Sequence, residues 1–210
     1  MALKLGLLPV TAFQQNCALL WDDATMEGAV VDPGGDVPEI LAAIARVGFK
    51  LTGIFLTHGH LDHAGGAAEL SEATGVSITG PDIADKFLLE SMEEQGRAYG
   101  FVCRNCTPDS WLREGDEITL AGEKFEVRHC PGHTPGHVVF INHSQKFAIL
   151  GDVLFRGSIG RTDFGNYGNH AQLIESIRTK LLTLPDDYAF ICGHGPDSTI
   201  GAERRSNPFL

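Results

Sequence analysis

Short apolar runs separated by turn-forming residues begin the chain and indicate β-strands. We expect strands at Leu3–Val10, Asn16–Trp21 and Gly28–Asp32, because each run is rich in aliphatic residues and bounded by polar or glycine positions. The third run ends in Asp-Pro-Gly-Gly, a sequence that strongly favours a turn. These strands follow one another closely and predict neighbouring strands of one sheet.

An apolar stripe at helical spacing follows the third strand. Asp36 is a candidate N-cap and Pro38 falls in the first turn, while Gly48 is placed to end the helix. The stripe itself consists of Ile40, Leu41, Ile44 and Val47.

A second alternation of strand and helix covers residues 54 to 100. An apolar run at 54–56 predicts a strand, the Ala-rich stretch Asp62–Ala73 a helix that Gly75 stops, and Val76–Thr79 another strand. The acid-rich stretch Asp82–Gly100 predicts helix with a solvated outer face.

The second half of the chain repeats this order of strands followed by helices. Its predicted strands are Ile118–Leu120, Lys124–Cys130, His137–Asn142, Lys146–Leu150 and Tyr188–Cys192, and its predicted helices are Gln172–Leu182 and Ala202–Arg205. Two groups of strands, each followed by helix, predict two stacked sheets with helices outside. Because no linker or strict repeat interrupts the chain, we expect one domain over residues 1–210.

Composition narrows the class of protein. The 210 residues are 43% hydrophobic and 20% charged, and the net charge of −11 argues against nucleic acid or an anionic membrane as the main partner. We read no membrane-spanning run and no signal peptide. Five cysteines, an odd and sparse number, fit a reducing cytoplasm, and the pair Cys103 and Cys106 lacks the second pair that a structural zinc site needs.

The segment Thr-His-Gly-His-Leu-Asp-His at 57–63 carries the densest candidate chemistry. Neutral imidazole and carboxylate bind borderline divalent metals. His58 and His60 lie two residues apart in a segment expected to be extended, so they point the same way and can clasp one ion. Asp62 and His63 fall near the start of a predicted helix and can serve a neighbouring ion.

Three other predicted strands also end in glycine and a ligand-type residue. They lead to His133 or His137, to Asp152, and to His194. We expect His137, which opens the next strand, to have a structural role. Because loops at strand ends converge in layered α/β proteins, these four loops predict a shared site.

These motifs, in this order, resemble the metallo-β-lactamase superfamily, and more narrowly its glyoxalase II (hydroxyacylglutathione hydrolase) branch. The resemblance runs from about Pro9 to Asn207. It implies an α/β (α+β) fold, an αββα four-layer sandwich. The chain ends about sixteen residues past His194, so it resembles a short form that lacks the C-terminal helical region of full-length glyoxalase II.

The resemblance also implies a ligand set and an activity. His58, His60 and His133 would hold one divalent ion, Asp62, His63 and His194 a second, and Asp152 would bridge them. We expect zinc first, with iron or manganese as alternatives. The implied reaction is hydrolysis of a small, S-lactoylglutathione-like thioester by a metal-bridging hydroxide, with Asp62 orienting the hydroxide or accepting its proton.

Two other functions stay open at this level. The persulfide dioxygenase branch of the same superfamily binds one iron through two histidines and an aspartate, here His58, His133 and Asp152, and it shares the stretch Gly160–Phe164. A non-catalytic metal-binding protein is the other alternative, and the complete ligand set argues against it.

Residues near the predicted site have competing roles. Arg161, Arg156 and Tyr167 are weak candidates for contacting substrate, and Arg161 is more simply explained by a pair with Asp163. Asp32 is either a partner of a metal-binding histidine or a turn residue.

Overall fold

The computed structural model describes residues 2–210. The strands are β1 (Leu3–Val10), β2 (Gln15–Asp22), β3 (Glu27–Val31), β4 (Lys50–Phe55), β5 (Ile78–Thr79), β6 (Glu117–Leu120), β7 (Glu123–His129), β8 (Val138–Asn142), β9 (Phe147–Ile149), β10 (Leu154–Phe155), β11 (Ser158–Ile159), β12 (Ala189–Ile191) and β13 (Ser198–Thr199). The α-helices are α1 (Val37–Val47), α2 (Leu61–Ala64), α3 (Ala67–Thr74), α4 (Lys86–Glu90), α5 (Met92–Tyr99), α6 (His170–Ser176) and α7 (Ile200–Ser206).

The strands form two main sheets and a small hairpin. The first sheet has the order β1-β2-β3-β4-β5, with antiparallel pairs up to β3 and parallel pairs after it. The second has the order β13-β12-β9-β8-β7-β6, in which β6 to β9 form an antiparallel meander and β12 joins β9 in parallel. The hairpin β10-β11 was not predicted, because each of its strands has only two residues.

The side chains of β2 alternate between its two faces and show how the layers are built. Cys17 and Leu19 face outward and pack with Ile40 of α1, in a cluster that includes the buried residues of α2 and α3. Ala18 and Leu20 face the other way and join residues of the second sheet, such as Phe125, in the cluster between the sheets. The first sheet therefore buries both faces, one under helices and one against its partner sheet.

The second sheet is covered in the same way. Ile141 and Phe190 turn outward and cluster with Leu173 of α6, Ile177 and Ile200 of α7. The order of layers is helix, sheet, sheet, helix, so the predicted αββα sandwich is confirmed. No helix within residues 2–210 has the length and apolar character needed to cross a membrane.

Several predicted helices are shorter than expected. The predicted helix Asp62–Ala73 is two helices, α2 and α3, separated by Gly65 and Gly66. A Cβ on either glycine would lie 2.8 Å or less from a backbone oxygen, Leu61 O for Gly65 and Pro33 O for Gly66. The chain therefore approaches its neighbours too closely here for any other residue.

The other helical predictions need smaller corrections. Asp36 stands at the start of α1, but its carboxylate accepts a hydrogen bond from the Thr11 N–H at 2.6 Å and does not cap the helix. The predicted helix Gln172–Leu182 is α6 followed by a π-helical turn, Ile177–Leu181.

The stretch predicted as an acidic outer helix also differs from expectation. It comprises a 3₁₀ turn (Ile83–Asp85), α4 and α5. Its acidic outer side is exposed, as expected, at Glu90, Glu93 and Glu94. The same stretch also has an inner side, on which Asp85, Leu88, Leu89 and Met92 are buried.

Candidate metal centre

Four loops that leave the carboxyl ends of β4, β7, β9 and β12 meet at one edge of the sandwich. They bring together all seven side chains that the sequence singled out as ligands. The loops supply, in chain order, His58, His60, Asp62 and His63; His133; Asp152; and His194.

Three imidazole nitrogens converge in the first half of this centre. Nδ1 of His60 lies 3.1 Å from Nε2 of His58 and 3.0 Å from Nε2 of His133. The far nitrogens fix the protonation of two of these rings. The His133 Nδ1–H donates to the carbonyl of Arg161 at 2.8 Å, since a carbonyl only accepts. Nε2 of His133 is therefore an unprotonated acceptor.

His58 is held in the same tautomer. The Thr57 hydroxyl donates to Oδ2 of Asp32 at 2.6 Å, which leaves its oxygen to accept from Nδ1 of His58 at 3.1 Å. At least two nitrogen lone pairs therefore point at one place. Burial lowers the pKa of His60 to about 3 and that of His58 well below its usual value, so protons do not neutralise this repulsion, whereas a cation would.

The second half of the centre combines imidazole and carboxylate. Nε2 of His194 lies 3.1 Å from Oδ2 of Asp62, and Nε2 of His63 lies 3.9 Å from the same oxygen. The far nitrogens are again occupied, His63 by Asp32 at 2.8 Å and His194 by the carbonyl of Phe13 at 3.2 Å. Both rings therefore point their Nε2 atoms toward the carboxylates, where each Nε2 can carry a proton or, when a cation is bound, a free lone pair.

Asp152 lies between the two halves. Its carboxylate oxygens are 3.5 Å from Nε2 of His133, 3.3 Å from Nε2 of His63 and 3.7 Å from Nε2 of His194. Oδ1 of Asp152 and Nε2 of His63 are buried without a hydrogen-bond partner among the described residues. Two buried polar atoms without hydrogen-bond partners, so close together, fit a bound cation.

The surrounding backbone leaves room for that cation. A Cβ on Gly193 would lie 2.1 Å from Oδ1 of Asp152 and 2.5 Å from Cε1 of His63. Only glycine fits at this position of the β12 loop. The residues present therefore fit a pair of divalent ions.

In the second half of the centre, carboxylates and burial shift the pKa values of the histidines in opposite directions. Burial alone lowers the pKa of a histidine, but the Asp152 and Asp62 carboxylates outweigh it and raise the pKa of His63 well above its usual value. At His194, the hydrogen bond to Asp62 and the charge of Asp152 likewise outweigh burial and raise the pKa.

Asp32 supports both halves from behind. It accepts from the Thr57 N–H at 2.7 Å and the Thr57 hydroxyl, and it contacts Nδ1 of His63. Of its two expected roles, the structure shows the one in which Asp32 orients a histidine of the centre.

His137 has a structural role, as expected. Its ring stacks on His58 with centroids 4.5 Å apart, and its Nε2 accepts from the backbone N–H of Asp152 at 3.0 Å. It therefore positions a ligand-bearing loop and is not one of the converging nitrogens.

Asp85 is a supporting residue that the sequence did not reveal. Its buried carboxylate accepts from the Gly59 N–H at 2.9 Å, the Thr134 hydroxyl at 2.7 Å and the Gly136 N–H at 2.5 Å. Asp85 thereby ties the loop of His58 and His60 to the loop of His133. Burial raises the pKa of its carboxyl to about 6 against the effect of these hydrogen bonds.

A cleft of about 590 Å³ opens onto the centre. Its walls are largely aromatic and include Phe13, Phe87, Tyr99, Phe164 and Tyr167. Arg161 lies at its rim but is paired with Asp163 at 2.9 Å, as the simpler explanation predicted. Burial raises the pKa of Tyr167 to about 12.

Comparison with known proteins agrees with this geometry. The sequence profile of the metallo-beta-lactamase superfamily matches residues 10–194. Hydroxyacylglutathione hydrolase GloC of Haemophilus influenzae is 50% identical over 99% of this chain and 98% of that protein.

Two solved structures are similar over nearly their whole length. The BLEG-1 B3 metallo-beta-lactamase has a TM-score of 0.89 and 32% identity, covering 100% of this chain and 99% of that one. TTHA1623 in a di-iron-bound form has a TM-score of 0.87 and 35% identity, covering 98% and 100%.

Proposed function

Because this chain belongs to the metallo-beta-lactamase superfamily, we propose that it is a metal-dependent hydrolase of 2-hydroxyacyl thioesters of the S-lactoylglutathione kind. The observation that carries the proposal is the meeting of five imidazoles and two carboxylates at the floor of one cleft. The 50% identity to a hydroxyacylglutathione hydrolase supports the substrate class.

The proposed ligand set has two parts and one shared member. His58, His60 and His133 would hold one divalent ion, and Asp62, His63 and His194 would hold the other. Asp152 lies within reach of both groups and would be shared between them. We propose zinc as the first choice, with iron or manganese tolerated by the same donors.

Bound divalent ions supply Lewis acidity: they lower the pKa of a water molecule and polarise a carbonyl oxygen. Asp62 then has the catalytic role of accepting the water proton. Burial raises the pKa of its carboxyl, but His63 and the hydrogen bond from His194 outweigh burial and lower it. The carboxylate is therefore ionised, as a proton acceptor must be, and its residue lines the cleft.

The leaving group explains why a thioester suits this cleft. A thiol has a pKa of about 8.5, so a thiolate departs without a dedicated acid. An amide nitrogen needs a proton donor beside it. The buried imidazoles of His58 and His60 have lowered pKa values and cannot be that donor. A thioester therefore makes a smaller demand on this site than an amide does.

The aromatic walls give the substrate an apolar surface to pack on. Phe13 and Tyr99 meet edge to face with centroids 5.7 Å apart on one side, and Phe164 and Tyr167 stack at 5.5 Å on the other. A small-molecule thioester, such as one linked to glutathione, would place its acyl group between them.

We also propose one hydrolase domain over residues 1–210 and a cytoplasmic location. The two sheets share the central cluster of buried side chains, which supports a single domain. All five cysteines are free thiols, as expected in a reducing compartment.

Metal analysis beside a thioester assay tests the function. The purified protein should carry two divalent ions per chain and release thiol from S-lactoylglutathione, and it should lose this activity after chelation and regain it with zinc. One iron per chain, with oxygen uptake and sulfite formation from a persulfide, would instead assign the dioxygenase reaction.

A further inference from the structure

Tyr167 is held rigidly in the wall of the cleft. Its ring stacks on Phe164 with centroids 5.5 Å apart and planes 7° apart, and it meets Phe87 edge to face at 5.5 Å. Its hydroxyl oxygen lies 3.0 Å from Nε2 of His60. The position of the hydroxyl is therefore fixed by two aromatic contacts and one hydrogen bond.

The direction of that hydrogen bond follows from the rest of the centre. Nδ1 of His60 faces the Nε2 atoms of His58 and His133, so a cation there takes the Nδ1 lone pair. Nε2 of His60 then carries the ring proton and donates to the Tyr167 oxygen. The phenol proton remains, and within residues 2–210 the hydroxyl has no second partner.

Other polar groups along the cleft are already engaged. The Ser91 hydroxyl and the Gln95 amide both donate to the carbonyl of Leu88, at 3.1 and 2.7 Å. Arg161 donates two hydrogen bonds to the Asp163 carboxylate, from Nε at 2.9 Å and from Nη2 at 3.0 Å. Tyr99 is the other phenol of the cleft, but it is 62% exposed and its ring meets Phe13 edge to face.

We propose that Tyr167 donates its O–H to the 2-hydroxyl oxygen of the acyl group and so selects 2-hydroxyacyl thioesters. The phenol oxygen lies one imidazole ring beyond the point where the nitrogens meet, too far to touch a carbonyl polarised there. A substituent on the neighbouring carbon comes within its reach. This role rests on the proposed thioesterase function and makes Tyr167 a specificity-determining residue.

The test compares two substrates and two matched variants. S-lactoyl and S-propionyl thioesters of one thiol differ only in the 2-hydroxyl, and kcat/KM is measured for each with the wild type, Tyr167→Phe and Tyr188→Phe. Tyr167→Phe should lower kcat/KM about tenfold for the lactoyl substrate and leave the propionyl value unchanged, because one hydrogen bond is lost. Tyr188→Phe, which removes a phenol hydroxyl bonded to His143 away from the cleft, should change neither value.

Product binding gives a readout that does not depend on turnover. Calorimetry on the zinc-loaded protein should show that the preference for lactate over propionate shrinks about tenfold in Tyr167→Phe. Elemental analysis should find the same metal content in all three proteins, which shows that the centre is intact.

Three results would overturn the assignment. An equal loss on both substrates would mean that Tyr167 only positions His60, and no loss on either would remove it from the reaction. A wild type that hydrolyses neither thioester would refute the proposed function itself, and the role of Tyr167 with it.

Discussion

The two halves of the metal centre use different donors in different surroundings. His58, His60 and His133 form a trio of neutral imidazoles, in which His58 and His133 are almost fully buried. The other trio replaces one imidazole by a carboxylate and is more open, since the side chains of Asp62 and His194 are 18% and 31% exposed. Asp152 contacts members of both.

The difference in donors and burial determines how each half behaves without an ion. Burial lowers the pKa values of His58, His60 and His133, so protons do not replace the cation there. Carboxylates raise the pKa values of His63 and His194, so protons partly replace the cation in this half. We therefore expect the nitrogen trio to be the half that depends more strictly on a metal ion.

Removing the shared carboxylate should have the largest effect. Asp152→Ala should lower kcat for thioester hydrolysis by at least about 10³-fold, because both halves lose a negative ligand at once. Steady-state kinetics at matched metal content measure this, and circular dichroism should show an unchanged fold.

Asp187→Ala is the matched control for that change. Its carboxylate is exposed and pairs with Lys146 on the surface, so activity should stay at the wild-type level. Wild-type turnover by the Asp152 variant would contradict the proposed bridging role.

Single histidine changes should separate the halves. His58→Ala should abolish measurable turnover, whereas His194→Ala, on the more exposed side, should lower it by about 10²-fold. Each variant should retain about one ion per chain by elemental analysis. His143→Ala, which removes a histidine bonded to Tyr188 and Glu126 away from the centre, should retain both ions.

The opposite pattern would reverse the comparison. If His194→Ala abolished turnover and His58→Ala lowered it by only about 10²-fold, the carboxylate half would be the one that organises the centre.

Asp85→Ala should have a smaller effect through loop position. The variant loses the three hydrogen bonds that join the loop of His58 to the loop of His133, so zinc affinity and kcat should each fall by about tenfold. Competition with a fluorescent chelator measures the affinity. Asp82→Ala, in the same loop, removes only a local contact to the Ala84 N–H and should leave both values unchanged.

The ligands were predictable because each lies beside a local signal. An apolar strand, a glycine and a ligand-type residue stand together at His58, Asp152 and His194, and β-strand periodicity is a local property. The layer order also followed from grouping the strands. Residue type and spacing were therefore enough to locate the four loops that meet, while the choice of His133 over His137 and the complete set of seven came from the resemblance to the superfamily.

Asp85 was not predictable, because its partners are distant in sequence. It is 26 residues from Gly59 and 51 from Gly136, and it stands in an acid-rich stretch where no local signal distinguishes it from the other acidic residues. The break in the helix at Gly65 and Gly66 has a similar origin, since the close backbone approach comes from tertiary packing. Such features depend on contacts that no local pattern records.

The pH dependence of the metal-depleted protein should show opposite signs for the two halves. For His194 the folded pKa is raised, so its stabilisation is present below about pH 6.5 and is lost as pH rises through the folded pKa. For His133 the folded pKa is lowered, so stability is lost as pH falls below about 6.5. After chelation, the temperature of thermal unfolding should therefore be highest near that pH. His194→Ala should flatten only the alkaline side of the profile and His133→Ala only the acid side, and a change on the same side in both variants would remove the distinction between the halves.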